Sequence, residues 1–482
     1  MYRPKSPPYD NIETLSTNHV HSHIDITMID LNDYLPLTLM KSFFFKAITS
    51  LLLVSSLFAL KAQAENQQLS VDEVVSIFYQ RNLDLIAAQY NIDQARADTI
   101  IASAIPNPTV NIQISELGSN LNKNSGAAGC PTSGAACGAA EYYSFSQLIE
   151  VAGKRGLRIE SSNFGTQAAE SDFRDAIRIF SNMVRNAYYQ LLQSQKNLWL
   201  AQEIVDHYAD ISKANRLRMK GGDISESDFL RVKMEAMRAQ SDLDASQTMV
   251  EQAQANLAVI LRWPAKSLQF EAKEQWPDAK DFGQPTTKEE FINKALQQRP
   301  DLEGDKLRAD QADKQLELAR RLKYPDVTIN AGYARDPGNT VLTSGFVGFS
   351  VPLPLFYQYQ GEADKAAVHL SQSRLAAEQT ELDIRNDVIT ALATWTSTNK
   401  IVQRFKEGLL DDALTVRNSS ELSYSKGAAS VLDFIEAQRT YKNIMHDYYA
   451  AEIARANAYY DLEKALGVQL DTDKAPVARN HK

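Results

Sequence analysis

The chain is poor in cysteine, glycine and proline, since its 482 residues include only 2, 20 and 16 of them. Two cysteines are too few for a disulfide scaffold or a cysteine-rich zinc fold. A basic surplus is also missing, because 51 lysine and arginine residues stand against 60 acidic ones, for a net charge of -9. This balance argues against a nucleic-acid partner, whose phosphates require basic side chains. The scarcity of glycine and proline favours a helical protein.

Long apolar runs and catalytic motifs are lacking as well. A mean hydropathy of -0.35 excludes a transporter built from many membrane helices. The sequence contains no phosphate-binding glycine loop, nucleophile elbow or His-Glu-x-x-His pair. The alternating histidines His19, His21 and His23 could bind a metal, but they lie in a segment that we expect the mature protein to lack. The sequence therefore predicts neither an enzyme nor a cofactor or metal site.

The first 64 residues are interpreted as a leader rather than as part of the fold. Residues 40–64 have the pattern of a secretory signal peptide, with a basic start, an apolar stretch and a small-x-small cleavage site. These parts are Lys41 and Lys46, the run from Ala47 to Leu60, and Ala62-Gln63-Ala64. The run is shorter than the roughly 20 residues of a membrane anchor. Residues 1–39 are interpreted as an extension from a start codon assigned too far upstream.

The rest of the chain contains an internal repeat. Residues 81–85 match residues 298–302 at an offset of 217, and Gly222 matches Gly427 at an offset of 205. The difference of 12 corresponds to an additional loop rich in glycine and alanine, residues 120–141, in the first half. The sequence predicts two related units and a C-terminal tail: 65–275, 285–470 and 471–482.

Each repeat is predicted to contain two short strands and a long helical hairpin. The strands alternate apolar and polar residues, which suits a membrane β-barrel and equally suits an ordinary half-buried sheet. Four strands cannot close a barrel, so a barrel requires an oligomer. The predicted strands are residues 107–118, 142–151, 325–335 and 344–353, and the predicted hairpins are residues 157–263 and 362–467.

Glycines near the middle of the two proline-free helical stretches predict the hairpin turns. Gly222 and Gly427 would each separate two antiparallel arms of about 45 residues, or roughly 70 Å at the helical rise. Ser225 and Ser430 follow these turns as predicted N-caps of the returning helices. The alternative is that these four tip residues form the surface where another helical protein docks.

Four segments carry a resemblance to a known family. They are PNPTV at 106–110, SFSQLIEVAGKRGLR at 144–158, YPDVTINAGY at 324–333 and SVPLPLFYQYQGEADKA at 350–366. Together with the duplication and the long hairpins, they resemble the TolC family of outer-membrane efflux ducts over residues 69–470. The segments look most like the branch that serves heavy-metal efflux, the CzcC-like proteins.

The resemblance implies a mainly α fold with a transmembrane β portion. Three protomers would form a twelve-stranded barrel in outer-membrane lipid and a helical tunnel in the periplasm of a Gram-negative bacterium. A periplasmic adaptor and an inner-membrane pump of the RND type would be the partners. The implied function is a passive exit duct for divalent cations of the cobalt, zinc and cadmium type. The alternatives are a duct for drugs or secreted proteins, or a periplasmic coiled-coil scaffold without a channel.

Charged residues beyond the turns are the candidate gate of such a tunnel. Asp433 and Glu436 lie three residues apart and share one helix face, and the resemblance implies that they line the narrow entrance. Their alternative role is a solvated helix face with a favourable dipole interaction. The first repeat has Asp228 and Arg231 at these places, and Arg231 is a candidate brace of a closed state.

Two further sets of residues complete the predictions. Cys130 and Cys137 are expected to form a disulfide in an oxidising compartment, because two thiols without a nearby histidine make a poor metal site. Lys154, Arg155 and Arg158 follow a strand, and we expect them to extend towards lipid headgroups rather than to contact a substrate.

Overall fold

The computed structural model describes residues 67–115, 140–263, 270–277, 287–335 and 343–467. The expected leader, both cysteines and the tail from residue 471 lie outside these ranges, so the predictions about them are not tested. Among the described residues, none of the helices combines the length and the apolar character that crossing a membrane requires.

Helices and strands alternate in the same order in both halves of the chain. In the first half they are β1 (Gln67–Leu69), α1 (Val71–Arg81), α2 (Leu83–Ser103), β2 (Thr109–Ser115), β3 (Ala140–Ile149), α3 (Lys154–Gly221) and α4 (Glu226–Ile260). In the second they are β4 (Phe270–Ala272), α5 (Lys288–Gln298), α6 (Pro300–Arg321), β5 (Val327–Arg335), β6 (Ser344–Ser350), α7 (Gln360–Arg404), a π-helical turn (Phe405–Leu409), α8 (Leu410–Ser425) and α9 (Val431–Leu466).

The start of each repeat is a short helix whose sequence encodes its own N-terminus. Ser70 and Glu73 form a capping box at α1, and Thr287 and Glu290 form the same box at α5. The parallel pair β1–β4 joins the two repeats, and β4 packs against α3. The hydroxyl of Tyr188 on α3 donates to the carbonyl oxygens of Leu69 and Lys273, at 3.0 and 2.5 Å.

The two hairpins have arms of unequal length, so the prediction of equal arms of about 45 residues was wrong. Helix α3 has 68 residues and its partner α4 has 35. In the second repeat, α7, the π-turn and α8 have 45, 5 and 16 residues, and α9 has 36. The returning arms end early because separate helices, α2 and α6, pack against the remaining length of α3 and α7.

The four longer strands form one antiparallel sheet in the order β2-β3-β5-β6. The register aligns the apolar residues of all four strands, as in the row Val110, Phe145, Ala331 and Val347. The next row on the opposite face is polar or small, and it consists of Thr109, Ser146, Asn330 and Gly348. The sheet therefore has one mainly apolar and one mainly polar face, as the alternation predicted, with Tyr142, Leu148 and Phe346 as the large exceptions on the polar face.

The helices next to the sheet follow the order of the strands. Helix α2 packs against α3, α3 against α6, and α6 against α7. Because α2 precedes β2 and α7 follows β6, the same two parts of the chain form the edges of both the helical layer and the sheet.

Candidate functional site

The hairpin tips have the geometry that the sequence predicted. Gly222 ends α3 with a left-handed φ of 84°, and Gly427 has a φ of 77°. Such values favour glycine. The Ser225 hydroxyl accepts a hydrogen bond from the amide of Asp228 at 3.1 Å, and the Ser430 hydroxyl accepts one from Asp433 at 3.2 Å. Both serines are therefore N-caps, which confirms that prediction, while docking at the tips stays a prediction.

The predicted gate residues lie directly beyond these caps. Asp433 and Glu436 are exposed on α9, on the side opposite the buried Phe434. Oδ2 of Asp433 accepts hydrogen bonds from the Ser430 amide, at 3.1 Å, and from its hydroxyl, at 2.8 Å. Asp433 thus has the structural role that was its alternative interpretation, and it remains accessible to solvent.

The first repeat has a different charge pattern at its tip. Oδ2 of Asp228 accepts a hydrogen bond from the Ser225 hydroxyl at 2.8 Å, and Arg231 is exposed on α4. On the neighbouring α9, Arg439 bonds with Glu235 of α4, and this hydrogen bond raises the pKa of Arg439. The roles of Asp228 and Arg231 as gate and brace depend on neighbouring copies and stay predictions.

A buried ionic contact between the hairpins was not predicted. Arg417 of α8 donates to Glu203 of α3 at 2.7 Å, and its side chain is only 8% exposed. Its guanidinium also lies over the ring of Tyr441 on α9, at 4.2 Å from the ring centre. This contact joins the second hairpin to the long arm of the first. Sequence patterns do not reveal it, because the partners are 214 residues apart.

Two of the three basic residues after β3, Lys154 and Arg158, form a clamp of ion pairs within the protein, contrary to the expectation that they extend to lipid headgroups, while Arg155 is exposed. The Lys154 ammonium donates to Asp326 Oδ1 at 2.9 Å and to the carbonyl oxygen of Tyr324 at 2.6 Å. Arg158 forms a bidentate pair with Glu150, and Arg155 donates to the carbonyl oxygen of Ser103. The side chain of Lys154 is 6% exposed. A buried ammonium group needs fixed partners of this kind, which is why Lys154 does not extend towards lipid headgroups.

Part of this clamp could have been found in the sequence. Asp326 lies in the segment YPDV, which aligns with residues 107–110 of the first repeat. The same carboxylate oxygen that binds Lys154 also accepts from the Val151 amide at 2.9 Å. The sequence offers Asp326, just before β5, and Lys154, after β3, as a possible ion pair. Only the pairing of β3 with β5 in the sheet shows that they meet.

Within the described ranges, histidine, cysteine, aspartate and glutamate residues do not gather in groups of three or more that could hold a metal ion.

Comparison with known proteins identifies the family of the chain. Residues 74–261 and 291–468 match the family described as outer membrane efflux protein. The chain belongs to this family. Outer membrane efflux proteins are passive channels and not enzymes, and they are the outer-membrane components of tripartite systems with an adaptor and an inner-membrane pump. The resemblance to the TolC family is thereby confirmed.

The individual relatives have low sequence identity to this efflux protein, but the aligned regions cover most of its length. The cobalt-zinc-cadmium resistance protein CzcC of Cupriavidus metallidurans is 23% identical and covers 77% of the chain and 84% of its own length. The pyoverdine export outer membrane protein OpmQ of Pseudomonas aeruginosa is also 23% identical, with coverages of 82% and 84%.

A solved structure shows the same fold. The outer membrane channel CmeC of Campylobacter jejuni superposes with a TM-score of 0.70 at 18% identity, and covers 85% of this chain and 88% of its own. The predicted fold class, a mainly helical TolC-like chain with a duplicated unit, is therefore correct.

Proposed function

We propose that three copies of the chain form an outer-membrane duct that releases divalent heavy-metal cations delivered by an RND-type pump and its periplasmic adaptor. The cation class is supported by the similarity to a cobalt-zinc-cadmium resistance protein over 77% of the chain. The observation that carries the duct itself is the exposed apolar face of the sheet.

That face is uncovered in the single chain. Val110, Val347 and Phe349 are 71%, 82% and 78% exposed, and they belong to the two edge strands. Contiguous apolar surface of this kind marks contact with membrane or protein. Apolar residues on one face and small polar residues on the other are the pattern of a barrel strand between lipid and water. Lipid is therefore the proposed cover of the apolar face.

The edges of the sheet support closure by copies of the same chain. Strands β2 and β6 are the edges of the described sheet and run antiparallel to each other. Strand β6 of one copy can then pair with β2 of the next, and three sheets of four strands give twelve. Closure removes unpaired strand edges, which lipid cannot satisfy.

The edges of the helical layer carry apolar residues at matching intervals. On α7, large apolar side chains that are 45% to 65% exposed recur every seven residues: Val368, Leu375, Leu382 and Ile389. On α2, Leu83 and Tyr90 have the same spacing and are 55% and 57% exposed. A seven-residue interval is the spacing of helices that pack side by side in a supercoil. We assign α7 of one copy and α2 of the next to this contact.

The tip carboxylates are the proposed cation-selective gate of the duct. Three copies would direct six carboxylates, from Asp433 and Glu436, towards one opening. The capping hydrogen bonds of Asp433 use only Oδ2, so the carboxylate can cap the helix and still act on passing ions. Arg231 of α4 is the proposed brace, and Gly222, Ser225, Gly427 and Ser430 form the proposed docking tips.

Deletion of the gene tests the proposed substrate class. We expect the deletion strain to become hypersensitive to cobalt, zinc or cadmium ions and to recover when the wild-type gene is returned. Growth is compared on a panel of these salts, antibiotics, detergents and iron-limited medium. Normal metal tolerance with a defect in siderophore or drug export contradicts the metal proposal and favours the function named for the Pseudomonas relative.

The gate is tested with purified protein in planar lipid bilayers. Asp433→Asn with Glu436→Gln is expected to lower the cation-to-anion permeability ratio several-fold, because six negative charges are removed while the asparagine side-chain oxygen can still accept a hydrogen bond from Ser430. Asp98→Asn, an exposed carboxylate on α2, is the control and should leave the ratio unchanged. An unchanged ratio in the double variant contradicts the assignment of the gate.

A further inference from the structure

Two exposed apolar groups flank the sheet where it joins the helices. The entry patch, just before β2, consists of Ile100, Ile101 and Ile105, which are 72%, 69% and 66% exposed. The exit patch, just after β6, consists of Leu353, Leu355 and Phe356, which are 69%, 72% and 100% exposed. Six large apolar side chains left in water are unfavourable, because burying such side chains stabilises a protein.

The two patches lie at opposite edges of one chain but at the same level of the sheet. Thr109, the first residue of β2, shares a row with Ser146, Asn330 and Gly348. Gly348 lies two residues before the end of β6 at Ser350. The start of β2 and the end of β6 are therefore level, and the four-stranded width of the sheet separates the two patches within a chain.

Both patches are held in place by polar contacts of the chain. Gln147 of β3 donates to the carbonyl oxygen of Pro106 at 2.9 Å, and Arg155 donates to that of Ser103 at 2.8 Å, so the backbone on both sides of Ile105 is fixed, while Ile100 and Ile101 belong to the end of α2. In the exit segment, the Leu355 amide donates to the Leu353 carbonyl at 2.8 Å. The Tyr357 hydroxyl donates to Glu362 at 2.5 Å. Fixed apolar surfaces of this kind lose little conformational entropy on binding.

We propose that the exit patch of each copy packs on the entry patch of the next copy, and that three such contacts form an apolar collar between sheet and helices. The inference rests on the proposed trimer, in which β6 of one copy lies beside β2 of the next. That pairing places both patches at the end of the barrel where the sheet joins the helices, and each offers only apolar side chains to the other. The collar couples the register of the strands to the packing of α7 on α2, and it closes the junction between the two parts of the duct to water.

Cysteine cross-linking of the full-length protein in outer membranes tests the collar. Both variants described here are made in a chain in which Cys130 and Cys137 are replaced by serine. The pair Ile101→Cys with Phe356→Cys is expected to give covalent dimers and trimers on denaturing gels after treatment with a short bismaleimide. Neither single variant should do so. The reference pair combines Thr109→Cys with whichever cysteine on β6, at Ser344, Phe346, Gly348 or Ser350, cross-links best, because barrel closure shifts the register between copies; it reports on strand pairing between copies.

The two pairs separate failure of the collar from failure of the trimer. Cross-linking of the reference pair without cross-linking of the collar pair overturns the collar and leaves the proposed duct intact. Absence of both products, with a monomer in native mass spectrometry, overturns the duct as well. Strong quenching of a tryptophan at position 356 by brominated phospholipid in Phe356→Trp would assign the exit patch to lipid and likewise overturn the collar.

Opposite charges introduced on the two patches distinguish direct contact between copies from a structural role within one copy. Phe356→Lys and Ile101→Glu are each expected to lower the yield of trimer at least five-fold, because each places a charge in an apolar contact. The double variant should recover most of the trimer, because the opposite charges meet across the contact between copies. Additive loss in the double variant would contradict direct contact.

Discussion

The two repeats share one architecture but differ in the continuity of their long arms. In the first, α3 runs through 68 residues without a break. In the second, the equivalent arm contains the π-turn Phe405–Leu409, where Gly408 has a φ of 144°. At the repeat offset of 205, Glu203 of α3 corresponds to Gly408. A turn of this type widens the helix locally and is a recognised cause of bends.

The contacts around these two positions differ as much as the backbones. Glu203 accepts a hydrogen bond from Arg417 and so receives a side chain of the other hairpin. Beside Gly408, Lys406 pairs at 2.6 Å with Glu452 of α9, which is 1% exposed and also pairs with Arg455 at 2.9 Å. Duplication thus preserved the length of the arm, while the break in the helix and the ion pairs that support it belong to the second repeat.

The largest effect is expected at the junction of sheet and helix, where only the first repeat has the lysine clamp. At the position equivalent to Lys154, the second repeat has Tyr359. Lys154→Met is expected to lower the free energy of unfolding by about 3 kcal/mol, because Asp326 is left as an uncompensated, largely buried charge. Thermal unfolding of the purified protein measures the loss. Arg155→Met, which removes a single exposed hydrogen bond, is the control and should cost less than about 1 kcal/mol.

An intermediate effect is expected when glycine is replaced by alanine in each arm. Gly408→Ala should destabilise the protein by about 1–2 kcal/mol, because a side chain is strained at this positive φ. Gly156→Ala in α3 is the matched substitution, and it should stabilise by up to about 1 kcal/mol, because the glycine is helical and its added Cβ meets open space. Changes of the same sign in both variants would remove the contrast between the two arms.

The smallest effect is expected at the tips, where the two caps differ by one hydrogen bond. Ser430→Ala removes the hydroxyl of a capping box but keeps the return bond from the backbone amide of residue 430 to Asp433, whereas Ser225→Ala removes a cap that has no return bond. Each should cost about 1 kcal/mol, with a few tenths less at Ser430 because its return bond remains. Hydrogen exchange of the amides of Asp433 and Asp228 measures the local change. Equal acceleration at both tips would mean that the return bond contributes nothing.

Several parts of the fold could be predicted because they depend on short stretches of chain. The glycine turns and the serine caps involve residues within three or four positions of each other, and both were correct. The alternation of Val110, Ile112 and Ile114 likewise identified a two-faced strand without any knowledge of its neighbours. The unequal arms were missed because the length of a helix depends on where its packing partner ends.

The sequence by itself determined the duplication, the four longer strands and two long hairpins in their order, the hairpin turns with their serine caps, and the alternation along the strands. The tertiary structure alone decided that the four apolar faces coincide, that Lys154 meets Asp326 across 172 residues, and that β2 with α2 and β6 with α7 form the free edges. The reason is the range of the forces. Local hydrogen bonds and periodicity act within one helical turn or strand, whereas register and ion pairing depend on which distant segments the fold brings into contact.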